Sequence, residues 1–291
     1  LETVARAHLE GKQPDAEEIT AAGDWEIFSE ELNHASMVDG VRLAKARVRR
    51  FRHKDTGQLA ECLAASEAES KFIVSDGVFS MDGDVAPIPQ IADLAEKHNA
   101  LLMIDDAHGV GMLGPHGRGS LDHHGVDASR VDLLMGTFTK AFGGVGGYVA
   151  GNKDLIDFLR ITARSYIFSA PLPPAIAAGV AEAIDIADRE PWRREKSLEN
   201  AHYFRREVEA LGFDTVGSEV HIVPTLIGDE LAAGEVTKLL RHRGIVAPHA
   251  RYPAVALGRA RIRFVMTCQH ERQQIDYLLA CLAEVKKLMQ L

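Results

Sequence analysis

The stretch LLMIDDAHGVG, residues 101–111, runs four apolar residues straight into two aspartates, a histidine and a glycine-rich turn. In open α/β sheets, ligands bind beyond the carboxyl ends of the strands. Asp105, Asp106 and His108 at such an end predict a site. On the N-terminal side, KFIVSDG (71–77) reads as another buried strand, like ALLMIDDA (100–107). Between them APIPQIADLAEKHN places Ile91, Leu94 and Ala95 on one helical face. Strand, helix and strand of this length predict parallel pairing with a right-handed crossover. VDLLMGTF (131–138) and GGYVAG (146–151) read as two further strands. The short link between them also allows an antiparallel pair.

From Pro171 the texture changes. PLPPAIAAGVAEAIDIADREP is an alanine-rich helix started by prolines, and WRREKSLENAHYFRREVEALGF a charged one stopped at Gly212. EVHIVPTLIGD (219–229) and ARIRFVMTC (260–268) read as strands flanking the helical GEVTKLLRHRGI, with a last helix from about Glu271. The expected class is α/β. The division is an atypical segment 1–23, a large domain of mostly parallel sheet over 24–174, and a linker helix with a smaller C-terminal α/β domain over 175–291.

Composition bounds the function. Hydrophobic residues make up 46% and charged residues 26%, a globular balance. A net charge of -9 argues against a nucleic-acid partner. No apolar run approaches the ~18 residues of a membrane span. Cys62, Cys268 and Cys281 show neither CxxC nor zinc spacing, which predicts a reducing, cytoplasmic setting and no metal. Residues 1–20 lack the pattern of a signal peptide. Because the chain opens on Leu1, a missing beginning is expected.

GTFTKAFGGVGGY (136–148) is the second informative stretch. Lys140 there sits among Thr137, Thr139 and glycines, where backbone and hydroxyls suit a phosphate. Neither a Walker loop nor GxGxxG at a strand-to-helix turn is present; HGVGMLG (108–114) is only loosely similar to the latter. Pyridoxal phosphate (PLP) explains both stretches together. It needs a lysine for a Schiff base and an acid for its ring nitrogen. Asp105 suits the nitrogen, His108 the ring hydroxyl, and small Ala107 one ring face. His34 in NHAS reads either as a helix-start hydrogen bonder or as an imidazole stacked on the ring. Asp76 and Ser80 in SDGVFSMDGD read either as an Asx turn or as further cofactor contacts. A rival of another class is a metal-dependent hydrolase using Asp105, Asp106 and His108.

LNHASMVDG, SDGVFSMDGD, IDDAHGVGMLGPHGRGS, GTFTKAFGG, YIFSAPLPP and ARIRFVMT together resemble the α-oxoamine synthase family of fold-type-I PLP-dependent transferases. The family condenses an amino acid with an acyl-CoA, giving an α-amino ketone or 2-amino-3-oxo acid and CoA. The resemblance implies Lys140 as Schiff-base lysine and proton shuttle, Asp105 at the pyridine nitrogen and His108 at the ring oxygen. It implies His34 stacked on the ring, and Ser80 and Thr137 on cofactor oxygens, Thr137 at the phosphate. Ser169 would reach the phosphate of the partner subunit in a homodimer with shared active sites. Arg263 would bind the amino-acid carboxylate, with Arg261 as the fallback. The phrases are most similar to the glycine C-acetyltransferase branch, which makes glycine and acetyl-CoA the first expectation. The 8-amino-7-oxononanoate synthase reaction, alanine with a pimeloyl thioester, is the alternative. A truncated, non-catalytic dimer partner is the reading from another class. The family's glycine-rich N-terminal segment, which closes on the cofactor phosphate, has no match before Asp24.

Overall fold

The computed structural model describes residues 24–291, so the atypical segment expected over 1–23 lies outside the described residues. Six strands form one sheet: β1 (Trp25–Glu30), β2 (Arg47–Phe51), β3 (Ser70–Asp76), β4 (Ala100–Asp105), β5 (Leu133–Thr137) and β6 (Gly147–Gly151). Their order is β2-β1-β3-β4-β5-β6. All neighbours are parallel except β5 and β6, which pair antiparallel as their short link allows. Helices α1 (Ala35–Leu43), α2 (Thr56–Ala64), α3 (Ile88–Lys97) and α4 (Ser120–His124) follow the strands.

The main core lies on one face of this sheet. α3 buries Ile88, Ile91, Ala92 and Ala95 against Ile73, Leu102 and Ile104, with Leu94 at the rim of the contact. Each large side chain so buried stabilises by about 1.5–3 kcal/mol. On the opposite face α1 sets Met37 against Ile27 and Val74. β1 and β2 carry no long apolar run. Glu26 is buried in β1 because Arg49 of β2 pairs with it at 2.6 Å, and the Ser66 hydroxyl also donates to it. A buried charge is tolerated only when it is partnered in this way.

After β6 come α5 (Lys153–Thr162), α6 (Arg164–Ile167), α7 (Pro174–Arg189) and α8 (Trp192–Ala210). The second unit adds β7 (Ile222–Gly228), α9 (Glu230–His242), β8 (His249–Ala250), β9 (Ala260–Val265) and α10 (Arg272–Met289). Its antiparallel sheet has the order β7-β9-β8. Phe204, Val208, Val223, Leu240, Ile262 and Leu282 share its core. α9 starts before the GEVTKLL pattern because the Asp229 carboxylate caps it, accepting from Ala232 N at 2.8 Å. The two-residue β8 was not expected from the sequence.

A turn over 78–85 joins the two units. It is closed by a bridge between Val78 and Val85, and the Gly83 carbonyl accepts from Glu219 N at 2.7 Å. Arg261 of β9 pairs with Asp82 at 2.6 Å. Among the described residues no helix is long and apolar enough to cross a membrane.

Candidate active site

β3 and β4 end level with one another, and their last residues, Asp76 and Asp105, are register partners. Two neighbouring buried carboxylates do not both ionise readily. Burial first, then the Asp105 charge, raises the Asp76 pKa well above the usual carboxylate range. Asp105 Oδ1 accepts from Ala107 N at 3.0 Å, which turns the chain and keeps Ala107 buried beside the strand end. Asn33 ties the start of α1 to the same edge. Its amide donates to Val74 O at 2.9 Å, and its oxygen accepts from Asp76 N at 2.8 Å. His34 then caps α1, its Nδ1 accepting from Ser36 N at 3.3 Å, with the ring exposed.

Asp106 goes elsewhere. Its Oδ2 accepts from Ser120 N at 2.8 Å, and the carboxyl is enclosed by the 106–119 loop. A Cβ on Gly109 or Gly119 would collide with it. Burial pushes its pKa up to about 7. Asp106 therefore does not converge with Asp105 and His108, and the ligand trio of the hydrolase reading is not assembled. Among the described residues no group of three His, Cys, Asp or Glu side chains could hold a metal ion.

Lys140 lies on the loop that joins β5 to β6. Phe138 N donates to Gly146 O at 2.9 Å, Gly144 N to Phe138 O at 2.7 Å, and the Thr137 hydroxyl to Gly146 O at 3.1 Å. The Thr139 hydroxyl stands 2.8 Å from that of Thr137. A Cβ at Gly111 would meet Ala141, so the 106–119 loop packs directly on the lysine loop.

The two loops and the second unit enclose a cavity of about 630 Å³, lined by Ala107, His108, Lys140, His221 and Arg263 among others. Burial lowers the Lys140 pKa; Asp105 opposes that effect and Arg263 reinforces it. Burial, then the charges of Lys140 and Arg263, pushes His108 down to about 2, so its imidazole is neutral. Arg263 Nε donates to Ser80 O at 2.6 Å, which holds the side chain at the cavity it lines. Arg261 is buried and committed to Asp82 and to the Met81 carbonyl. Of the two arginines in ARIRF, only Arg263 lines the cavity.

His221 was not anticipated from the sequence. It precedes β7, is buried, and is held neutral with its pKa at about 4, chiefly by burial. No local pattern marks it, since its place depends on how β7 packs over the first unit. Ser169 is not brought to this cavity. It is exposed, and its hydroxyl donates to Ser165 O at 2.5 Å. Ser80 is represented at the site by its carbonyl.

The donor set fits PLP. A carboxylate ends a buried strand, an amine of lowered pKa stands near enough to feel its charge, a neutral imidazole and a small side chain line the same cavity as the amine, and hydroxyls and glycine amides edge the lysine loop. Two basic side chains, Lys140 and Arg263, line the cavity of an acidic protein. A mostly parallel sheet with this constellation at its carboxyl edge, completed by an arginine from a second α/β unit, defines the fold-type-I class of PLP-dependent transferases.

Residues 16–282 match the family model described as aminotransferase class I and II. The chain belongs to this family, in its α-oxoamine synthase branch of PLP-dependent acyltransferases. It is 47% identical over 262 residues to the 8-amino-7-oxononanoate synthase of Thermosipho melanesiensis, covering 90% of this chain and 67% of the relative. A serine palmitoyltransferase structure from S. paucimobilis, with a bound PLP–myriocin aldimine, superimposes with a TM-score of 0.88. Its identity is 30%, over 92% of this chain and 68% of that one. The 8-amino-7-oxononanoate synthase structure from Francisella tularensis gives a TM-score of 0.79 at 26% identity, over 91% and 76% of the two chains. The chain spans about two thirds of the length of the curated relatives it matches.

Proposed function

We propose that this chain carries the 8-amino-7-oxononanoate synthase activity, condensing alanine with a pimeloyl thioester and releasing CoA and carbon dioxide. The observation that supports it is an identity of 44–47% to relatives of that name across nine tenths of the chain. The relatives favour this alternative over the glycine and acetyl-CoA pairing that the sequence phrases put first.

Bound in the cavity, PLP supplies an electron sink for negative charge at the α-carbon of the amino acid. Asp105 would face its ring nitrogen, Ala107 a ring face, His108 the ring oxygen and His34 the opposite ring face. Ser80 and Thr137 would meet cofactor oxygens, and Ser169 the phosphate in the partner subunit of a homodimer. Lys140 both anchors the cofactor and handles the α-proton. An amine takes a proton only when neutral, and burial beside Arg263 raises its neutral fraction. Arg263 keeps its terminal nitrogens for a carboxylate, a pairing that its planar fork suits. His108, uncharged, donates or accepts one hydrogen bond without adding a second cation beside Lys140.

The test is release of CoA by the PLP-loaded protein with alanine and pimeloyl-CoA, beside glycine and acetyl-CoA. The expected kcat/KM is greater for the first pair by about tenfold or more, the scale set by a few methylenes in a fitted pocket. The reverse order overturns the assignment.

A further inference from the structure

We propose that His53 is a positioning residue for this site: its ring bridges Glu30 to Asp84 and thereby fixes the turn whose Ser80 carbonyl seats Arg263. The proposal rests on the reading of Arg263 as the group that takes the amino-acid carboxylate.

His53 follows β2 on a loop, remote from Lys140 in sequence. Its Nδ1 stands 2.7 Å from Glu30 Oε1 and its Nε2 stands 2.8 Å from Asp84 Oδ2. Both carboxylates are buried, with side chains 1% and 9% exposed. A neutral imidazole has one N–H and cannot donate to both; an imidazolium can. Burial alone would lower its pKa, but the hydrogen bonds to Asp84 and Glu30 outweigh burial and raise it to about 9. The ring thus bridges the two buried carboxyl groups through both of its nitrogens. Lys54 extends it, pairing with Asp84 at 3.1 Å and Glu219 at 3.2 Å. The other Asp84 oxygen is buried with no hydrogen bond among the described residues, so His53 and Lys54 hold the carboxylate through Oδ2.

The geometry ties this bridge to the substrate side. The His53 ring packs edge-on against Phe79, centroids 4.5 Å apart, while its Nε2 holds Asp84. Phe79 and Asp84 are the two ends of one tight turn, joined by Phe79 N donating to Asp84 O at 3.0 Å. Within that turn the Ser80 carbonyl accepts from Arg263 Nε, and Met81 and Asp82 hold Arg261. The Glu30 end lies at the close of β1, three residues before Asn33, which anchors the start of α1. One imidazolium therefore sets two walls of the site relative to each other. Displacement of a binding group by about 1 Å can cost up to about a hundredfold in efficiency.

The experiment uses His53→Gln, which keeps one hydrogen bond but neither bridges nor carries charge, and Asp84→Asn, which frees the same turn with little change of volume. Hydrogen exchange without substrate should speed up by about tenfold or more over residues 79–84 in both variants, with β7 and β9 unchanged. With substrates, the alanine KM should rise by about tenfold while kcat and PLP loading stay within about twofold. The double variant should shift KM little beyond either single one. Unchanged exchange over 79–84, equal loss in KM and kcat, exchange raised throughout the protein, or additive single effects would each overturn the proposal. If exchange changes as expected but the unaltered protein turns over no alanine, the His53 bridge stands and the assigned reaction falls.

Discussion

Two glycine-rich loops leave adjacent strands of the same sheet, and Gly119 of one and Gly143 of the other serve different purposes. The 106–119 loop after β4 closes on the chain's own Asp106, and Gly109 and Gly119 leave the space that this buried carboxyl fills. In the loop after β5, nothing lies within 4 Å of where a Gly143 Cβ would stand, and Lys140 lines the cavity, while a Gly144 Cβ would meet Val180. Both loops line the cavity, but the first is fixed by its buried carboxyl, and the second leaves Gly143 open near Lys140. The contact of Gly111 with Ala141 transmits the rigidity of one to the other. Glycine content alone does not separate the two roles; what faces each glycine does.

The largest effect expected from this contrast is on chemistry. Lys140→Ala should lower kcat by at least about 10²–10⁴-fold, the range for loss of a positioned acid–base group, with the melting temperature nearly unchanged. A matching fall in stability would mean that the lysine loop is a support after all. Next comes the closed loop. Gly119 has φ +99 and ψ −158, a region that is essentially glycine-only, and a Cβ there meets Asp106. Gly119→Ala should cost about 2–4 kcal/mol in denaturant unfolding. Gly143→Ala is its counterpart. With φ +60 and open space around it, the cost should be about 1 kcal/mol, while PLP affinity falls more visibly. Equal stability losses at the two glycines would erase the distinction.

A further effect is a pH dependence. The Asp106 pKa, about 7 when folded, lies above its ordinary 3.8, chiefly through burial, with Ser120 N–H and Asp105 facing it. Its stabilising contribution is therefore full below about pH 4 and lost as pH rises through 7. Asp106→Asn should flatten the stability curve between pH 4 and 7. An unaltered slope would show that the carboxyl is not confined as described.

Much of this contrast was legible in the sequence because it rests on local pattern. The apolar runs of β3, β4 and β5, the one-sided helix α3 and the short link into an antiparallel β6 follow from periodicity and loop length. Lys140, Asp105 and His108 stood out by their neighbours at strand ends. β1 and β2 were not legible, since WEIFSE and RVRRF carry charges that become acceptable only when Arg49 meets Glu26 across the strands. The opposite fates of Asp105 and Asp106 were equally hidden, because only the closure of the 106–119 loop decides which one it encloses. His221 and His53 are placed by elements distant in the chain, and no spacing rule points to them.

The central claim is that the open loop presents Lys140 to PLP. Borohydride reduction of the PLP-loaded protein, followed by peptide mapping, tests it most directly. The account predicts a pyridoxyl label on the peptide containing Lys140 and on no other lysine. A label elsewhere, or a protein that takes up PLP and retains no label after reduction, would contradict it.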